Sequence, residues 1–417
     1  MNRHLTSSRA SFTLPVVVAV LFQVTASVAS ADPYVGLHSF TGLDGSVPVG
    51  PLLQVGSELW GTTLDGGGDG VDGVLFSINP DGSNYQIRHG FAGIAGDGVS
   101  PSQGVVQSGS KLYGMTTGTV SSNLIPATIY SINTDGSGYQ TIHTLSDFAG
   151  ELSTSLTAVG TRLYGLEAYI FGGQPQKAFS LNLDGSDFQY LHTFVPGTDG
   201  GHSNGRMIAL GSTLYGTTSS FGPTNGGTVF SMNLDGSNFQ VLHSFIDTQG
   251  GGGPWGGLTL VGSVLYGTTH FGLGTGGSVF SMNLDGSNFQ TLHTFSMATP
   301  GPIGDLIESN SVLYGTTLGI FGTGSNGSVY SMNLDGSNFK ILTEFAVPTG
   351  PTNPSALSII GSTLFGTTTG VNSKATSPDR FGTVFAIPIP EPTGFALAAM
   401  ALAGFSTVAV RRQQRGR

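Results

Sequence analysis

The chain contains no cysteine and few charged residues. Without cysteine it can form no disulfide bond, no thiolate metal site and no cysteine nucleophile. Only 9% of its 417 residues are charged, whereas about a quarter is usual in globular proteins. Amphipathic helices need charged residues on their solvated faces, so this scarcity argues against long surface helices.

Glycine and apolar residues are abundant instead. The chain has 67 Gly and 20 Pro, while 38% of its residues are hydrophobic and 10% are aromatic. This much apolar surface argues against a disordered linker, and the glycine content is far below the one-third that collagen needs. Because Gly also destabilises helix interiors, the composition favours a globular protein rich in turns and strands.

The N-terminus has the features of a secretory signal peptide. Two arginines precede an apolar run over 12–24, and Ala29 and Ala31 form an A-x-A cleavage pattern. We expect cleavage before Asp32, so that residues 1–31 are the signal peptide. A first transmembrane helix is the alternative, but the run is short and contains a proline.

The C-terminus combines a short motif, an apolar stretch and a basic cluster. Pro390, Glu391 and Pro392 come first, and an uncharged stretch follows in which we predict a transmembrane helix over 394–410. The arginines that end the chain would stay in the cytoplasm by the positive-inside rule. They are Arg411, Arg412, Arg415 and Arg417.

This order resembles the PEP-CTERM sorting signal of Gram-negative bacteria, and the resemblance covers residues 389–417. It implies an exosortase that recognises the Pro-Glu-Pro motif and removes the hydrophobic tail. It further implies transient contact with the inner membrane and a final place at the cell surface or in the extracellular matrix. A single-pass membrane anchor that is never removed is the alternative.

The exported part is more acidic than the precursor. Residues 32–391 contain all 24 acidic residues but only 8 of the 14 basic ones, so their net charge is −16 compared with −10 for the whole chain. An acidic surface disfavours nucleic acid and anionic polysaccharide as partners.

Three sequence blocks recur seven times along the chain. The first is Leu-aromatic-Gly, with its aromatic residue at Trp60, Tyr113, Tyr164, Tyr215, Tyr266, Tyr314 and Phe365. The second is a small apolar residue followed by Phe76, Tyr130, Phe179, Phe230, Phe280, Tyr330 or Phe385. The third, most often Leu-His-Ser/Thr-Phe, recurs at His38, His89, His143, His192, His243, His293 and, in degenerate form, Glu344.

Each repeat unit predicts four short strands. In the unit over 257–295 we expect strands at 258–261, 264–269, 278–283 and 289–295, and an Asp-Gly pair forms a hairpin turn before the last one. Four antiparallel strands in about 50 residues are typical of a propeller blade. A β-solenoid is the alternative, but its coils are usually much shorter.

The two ends of the array predict how a ring would close. The first copy of the third block, at 37–40, has no strands before it, and the last unit, at 364–385, has no third block after it. The N-terminal strand can therefore complete the last blade and leave no large unpaired edge. We predict an all-β fold: a seven-bladed β-propeller over residues 32–388, closed by the N-terminal strand and followed by a C-terminal hydrophobic helix.

The repeat unit resembles the tandem GloVer repeat of bacterial surface proteins. It carries Leu-Tyr-Gly-Thr-Thr at 214–218, Gly-Thr-Val-Phe at 227–230 and Asp-Gly at 235–236. The resemblance covers roughly residues 35–388 and implies no chemical activity. Two copies depart from the pattern, since Met115 and Leu166 replace the first threonine.

Most histidines belong to the repeat and suggest a packing role. Six of the nine occupy the third block. Strand alternation places His293 on the same face as Phe289 and Phe295, so we expect it to lie between blades, where it can stack and donate one hydrogen bond. The Asp-Gly-Ser segments are explained as hairpin turns.

One acidic loop is a candidate calcium site. Asp65, Asp69 and Asp72 lie within eight residues of one another, among glycines with backbone carbonyls that could serve as further oxygen ligands. Their spacing matches neither the EF-hand loop nor the RTX repeat. A solvated acidic loop is the other interpretation, and no other cofactor is predicted.

The sequence predicts a binding protein with no catalytic residues. Trp255, in a loop outside the repeat consensus, is a candidate to stack on a sugar ring or to cover a blade end. His202 and His270 lack an accompanying Gly-x-Ser-x-Gly nucleophile motif. We therefore expect a non-catalytic surface propeller that binds an extracellular protein or glycan, or serves in the envelope or biofilm. The alternative is an extracellular polysaccharide hydrolase or lyase, for which Glu151, Glu167 and Asp305 are candidate carboxylates.

Overall fold

Seven four-stranded antiparallel sheets form a closed ring in the computed structural model, which confirms the predicted seven-bladed β-propeller. The described residues are 34–94, 96–118, 125–145, 154–167, 175–203, 205–246, 252–270, 276–296, 301–320, 325–346, 352–370 and 378–389. The signal peptide, the Pro-Glu-Pro motif and the predicted C-terminal helix lie outside them. Within these residues, no helix has the length and apolar character needed to cross a membrane.

The first four blades are formed by consecutive strands, which run in order from the innermost to the outermost. Blade 1 contains β2 (Ser46–Val55), β3 (Glu58–Asp65), β4 (Val74–Ile78) and β5 (Gln86–Gly90). Blade 2 contains β6 (Pro101–Ser108), β7 (Lys111–Thr116), β8 (Thr128–Asn133) and β9 (Gln140–Thr144). Blade 3 contains β10 (Thr157–Val159), β11 (Arg162–Glu167), β12 (Lys177–Asn182) and β13 (Gln189–Thr193). Blade 4 contains β14 (Ile208–Leu210), β15 (Thr213–Ser220), β16 (Asn225–Asn233) and β17 (Gln240–Ile246).

The last three blades continue this order until the ring closes. Blade 5 contains β18 (Thr259–Val261), β19 (Val264–Thr269), β20 (Ser278–Asn283) and β21 (Gln290–Thr294). Blade 6 contains β22 (Pro302–Ser309), β23 (Val312–Ile320), β24 (Ser325–Asn333) and β25 (Lys340–Ala346). Blade 7 contains β26 (Pro354–Ile360), β27 (Thr363–Thr368), β28 (Thr383–Pro388) and the N-terminal β1 (Val35–Ser39), with a 3-10 helix at Pro378–Phe381.

The N-terminal strand closes the ring as predicted. Strand β1 pairs antiparallel with β28, where Gly36 lies opposite Phe385. On the inner side, β2 contacts both β6 and β26, so the first and last blades are neighbours. The outer strand of blade 7 therefore comes from the opposite end of the chain, and it pairs the edge of β28 that β27 leaves open.

The hydrophobic core is divided into seven clusters, one between each pair of adjacent blades. Between blades 4 and 5, for example, Tyr215 and Val229 pack against Leu265, Phe280 and Met282. Strand β20 is buried along almost its whole length, because both faces of a blade are covered by neighbours. This explains the scarcity of charged residues in the repeat.

The glycine of the Leu-aromatic-Gly block makes room for the aromatic residue of the second block. Gly267 lies opposite Phe280 on the adjacent strand, and a Cβ atom on Gly267 would lie 2.5 Å from the Phe280 ring. The same ring-over-glycine contact is found in all seven blades. The repeated pairing of these two blocks is therefore a packing requirement.

The block-three histidines lie between blades, as predicted. His293 stacks on Phe339 of the next blade, with ring centroids 3.9 Å apart and planes 5° from parallel. The other five follow the same rule. Their pairs are His38 with Tyr85, His89 with Tyr139, His143 with Phe188, His192 with Phe239, and His243 with Phe289.

The prediction of which residues share a strand face with His293 is partly wrong. Phe295 does share its side, with an edge-on contact at 4.8 Å, but Phe289 faces the other neighbour, His243. The cause is a β-bulge: Val279 pairs with His293 while Phe280 pairs with Thr291, so one extra residue reverses the alternation. This bulge is present in all seven blades.

The seventh copy of the third block is also shifted by one residue from its prediction. Val329 pairs with Thr343 just as Val279 pairs with His293, so Thr343 occupies the histidine position and Glu344 follows it. Thr343 is buried, and its hydroxyl has no hydrogen-bond partner among the described residues. The junction between blades 6 and 7 therefore lacks the histidine stack.

The Asp-Gly-Ser segments are turns stabilised by the aspartate. Asp285 Oδ1 accepts hydrogen bonds from the backbone nitrogen of Ser287 at 2.9 Å and from its hydroxyl at 2.6 Å. These bonds lower the pKa of the Asp285 carboxyl. Asp81, Asp135, Asp184, Asp235 and Asp335 make the same two contacts.

Candidate functional site

The two ends of the ring are built from different parts of the blades. Pro302 at the start of an inner strand pairs with Thr317 near the end of the second strand. Inner-strand starts and the loops after second strands therefore lie at one end, which we call the mouth. The Asp-Gly-Ser turns between third and fourth strands lie at the opposite end, which we call the turn end.

A cavity of about 460 Å³ lies at the mouth. Its lining includes a residue in the inner strand of every blade or in the segment that leads into it, so the cavity surrounds the ring axis. In blade order these residues are Pro51, Gln103, Ser155, Arg206, Trp255, Asp305 and Ser355. The cavity is thus the opening of the central channel.

Trp255 forms an aromatic wall of this cavity and is 44% exposed. Its indole stacks on the imidazole of His270, with centroids 4.4 Å apart and planes 16° from parallel. His270 is buried, its Nδ1 lies 3.3 Å from the carbonyl oxygen of Pro302, and its burial lowers its pKa. One indole face is therefore covered, and the ring is held in a fixed orientation.

Arg206 and Asp305 form an ion pair in the same cavity. Arg206 Nε lies 3.3 Å from Asp305 Oδ2, although blade 5 lies between their two blades. Asp305 Oδ1 also accepts a hydrogen bond from the backbone nitrogen of Gly257 at 2.5 Å. The carboxylate thus links blades 4, 5 and 6 at the ring axis.

Backbone contacts fix the segments that carry these side chains. Thr217 donates a hydrogen bond to the carbonyl of Gly256 at 3.0 Å, and Thr268 donates one to Gly304 at 3.1 Å. A Cβ atom on Gly256 would lie 2.1 Å from the Gly304 carbonyl oxygen. The glycines around Trp255 therefore allow close approach of neighbouring blades, which positions the cavity residues rigidly.

The other candidate carboxylates have different places. Glu167 is buried and accepts a hydrogen bond from the Tyr190 hydroxyl at 3.1 Å, and it is not part of the described cavity lining. Glu151 lies outside the described residues. His202 contacts Phe221 edge-on at 5.0 Å. Among the candidate carboxylates that the structure describes, only Asp305 lines the cavity together with Trp255.

The calcium candidate forms an exposed loop. Asp65, Asp69 and Asp72 are exposed, and surrounding protein and the Asp72 carboxylate raise the pKa of Asp65. The carbonyls of Asp65, Gly66, Gly68 and Asp72 accept hydrogen bonds within the protein. Across the described ranges, no group of three or more histidine, aspartate or glutamate side chains is arranged to hold a metal ion.

The sequence pointed to Trp255 and Asp305 but not to their neighbours. Ser155 and Arg206 lie just before inner strands and Gln103 lies near the start of one, outside the three repeated blocks. Their signal in the sequence is that the repeat units carry different residues there. It becomes informative only when the ring brings positions about 50 residues apart to one axis.

Comparisons with known proteins support the repeat and the fold. A family model described as the Gloeobacter/Verrucomicrobia repeat matches residues 19–177 and 174–385. An oligogalacturonate lyase from Vibrio parahaemolyticus has a similar structure, at 12% identity over 83% of this chain and 90% of that one, with a TM-score of 0.51. An oligogalacturonate lyase in complex with manganese matches at 10% identity over 81% and 87%, with a TM-score of 0.51. No curated protein matches the sequence.

Proposed function

The chain belongs to the Gloeobacter/Verrucomicrobia repeat family, and on this premise we propose that it is an exported binding protein of the cell surface or extracellular matrix. Its propeller holds an extracellular protein or glycan at the mouth of the central channel. Binding is its role, and it does not turn over its ligand.

One observation carries this proposal. An exposed tryptophan, fixed by a buried histidine, shares a cavity at the ring axis with an ion pair. Ligand pockets combine apolar walls with a few fixed polar groups, and they have volumes of ~300–1,000 Å³. The cavity of about 460 Å³ satisfies both criteria.

Export and sorting are proposed from the two ends of the chain. The signal peptide ends at Ala31, and the segment over 389–417 carries Pro390, Glu391 and Pro392 ahead of the hydrophobic tail. An exosortase removes that tail after recognising the motif. The propeller then leaves the inner membrane for the surface.

Binding is tested with the purified protein and intact cells of the producing organism. We expect the wild-type protein to bind the cell surface or the matrix released from it, and Trp255→Ala and Arg206→Met to reduce binding strongly. Phe221→Ala is the matched control, because Phe221 is an aromatic residue 43% exposed that lies outside the cavity lining. Equal binding by all three variants would place the site elsewhere.

Sorting is tested in the producing cells. Replacement of Pro390, Glu391 and Pro392 by Ala, Gln and Ala should leave the chain at full length in the inner membrane. The wild-type chain should appear at the surface without its tail, as measured by the mass of its C-terminal peptide. Surface delivery of the altered chain in processed form would contradict the exosortase step.

The second candidate function is that of a polysaccharide hydrolase or lyase. Asp305 favours it, because this carboxylate lies in the cavity next to Arg206, where it could act on a bound chain. Two oligogalacturonate lyases have a similar fold. Release of reducing ends or unsaturated products from polysaccharides, abolished in Asp305→Asn, would establish catalysis in place of binding alone.

A further inference from the structure

We propose that the ligand of the mouth cavity is a neutral glycan, with one pyranose ring lying against Trp255 and its hydroxyl groups bonded to Arg206 and Asp305. This inference rests on the proposed binding function and names the chemical class of its partner.

The aromatic wall is suited to the apolar face of a sugar ring. Because His270 covers one face of the Trp255 indole, the exposed 44% of the side chain comes from the other face and the edges. Tryptophan offers a large, flat contact surface with little loss of conformational entropy when it is already fixed. Trp60, by contrast, is completely buried between blades.

The ion pair is suited to hydroxyl groups. A hydroxyl both donates and accepts hydrogen bonds, so neighbouring hydroxyls can accept from Arg206 and donate to Asp305. Arg206 Nε is buried against Asp305, whereas the arginine side chain as a whole is 42% exposed. A guanidinium has five N–H donors, so the accessible ones remain free to bond to ligand oxygens while Nε pairs with the carboxylate.

The charge of the site argues for a neutral ligand. Arg206 is the single basic residue in the described lining, and Asp305 balances its charge. A carboxylate or phosphate ligand would have to compete with Asp305 for the guanidinium. The exported part of the chain also carries a net charge of −16, which repels anions.

The remaining described lining adds uncharged polar groups to this arrangement. Gln103, Ser155, Asn353 and Ser355 bring amides and hydroxyls to the same cavity as Trp255. Such groups bond to hydroxyls without the desolvation cost of an unpaired charge. The cavity thus combines one aromatic wall, one compensated ion pair and several neutral polar side chains.

The chain itself provides a reporter for the test. It contains two tryptophans, Trp60 and Trp255, and tyrosine stands at the position of Trp60 in five other blades. Trp60→Tyr therefore leaves Trp255 as the sole indole, whose fluorescence and quenching by acrylamide report on the cavity. We titrate this full-chain variant with neutral gluco-, manno- and galacto-oligosaccharides and, separately, with oligogalacturonate.

We expect at least one neutral oligosaccharide to protect Trp255 from acrylamide and to bind measurably by calorimetry. Trp255→Ala should weaken that binding by about tenfold, and Arg206→Met should weaken it by a similar factor. Trp255→Phe should retain part of the affinity, and Phe221→Ala should retain all of it. Unchanged melting temperatures would show that each variant folds.

The possible results distinguish a failure of the neutral-glycan proposal from a failure of the proposed binding site. Binding of oligogalacturonate alone, lost in Trp255→Ala, would overturn the neutral class and leave the mouth as the site. Cell-surface binding that depends on Trp255 without affinity for any neutral oligosaccharide would overturn the glycan inference in favour of a protein partner. Neutral glycan binding that is unaffected by Trp255→Ala and Arg206→Met would overturn the site itself.

Discussion

The two ends of the ring differ in how closely the blades repeat one another. At the turn end, six Asp-Gly-Ser segments make the same two hydrogen bonds, as in Asp285 with Ser287. At the mouth, the position just before the buried apolar residue of the inner strand carries residues as different as Pro51, Arg206 and Asp305. Repetition therefore marks what every blade needs to fold, and the irregular residues form the place where we propose that a ligand binds.

The largest effect is expected from opening the ring, which would disrupt both ends together. Deletion of residues 32–42 removes β1, the fully buried Phe40 that follows it, and the stack of His38 on Tyr85. Loss of a buried Phe side chain alone costs about 3–5 kcal/mol, and β28 would gain an open edge. The melting temperature should fall by ~10 °C or more.

Val35→Ser is the control for this deletion, since Val35 lies in the same strand but is 51% exposed. It should change the melting temperature little. A deletion variant that melts at the wild-type temperature, measured by calorimetry, would show that the N-terminal strand does not close the ring.

The next largest effect is expected from filling the repeated glycine. Gly267→Ala places a methyl group 2.5 Å from the Phe280 ring, and overpacking of this kind costs ~1–3 kcal/mol. Urea unfolding should detect the loss, while the glycan binding proposed for the mouth should persist in the folded fraction. Gly36→Ala is the control, because nothing lies within 4 Å of its Cβ position.

Partial recovery of stability in Gly267→Ala with Phe280→Leu would tie the loss to that contact. If Gly267→Ala and Gly36→Ala unfold at the same urea concentration, the recurring glycine does not serve the packing we assign to it.

The contrast between the repeated turn end and the irregular mouth also explains how much of the structure could be predicted from the sequence. The repeated residues predicted the blade number, strand order and ring closure, because seven copies average out local exceptions. The β-bulge before His293 could not be predicted from strand alternation, because the residues of the third block do not indicate that one extra residue is present. Arg206 was missed because its partner, Asp305, is about 100 residues away and reaches it only in the closed ring.

A smaller loss of stability is expected when the pH is lowered, because the histidines of the third block then become protonated. Burial lowers the pKa of His143, His243 and His293 in the folded chain, whereas the unfolded chain takes up these protons near pH 6.5. Stability should therefore be complete above about pH 6.5 and decrease as the pH falls towards the lower folded values. Urea midpoints at pH 7.5, 6.0 and 5.0 measure this.

His243→Phe keeps a ring opposite Phe289 without a titratable group, so its stability should depend less on pH than that of the wild type. Parallel pH curves for the two proteins would mean that the stacked histidines do not cause the acid sensitivity.

The smallest effect is expected from calcium at the loop of Asp65, Asp69 and Asp72. These aspartates are exposed, and the carbonyls of Asp65 and Asp72 already accept hydrogen bonds from the protein. Because any ion bound only to the folded state must raise the melting temperature, millimolar calcium provides a direct test. We expect no shift, and Asp65→Asn with Asp72→Asn should melt alike with and without calcium. A calcium-dependent rise that this double variant abolishes would make the loop a metal site and give the mouth end a second irregular binding feature.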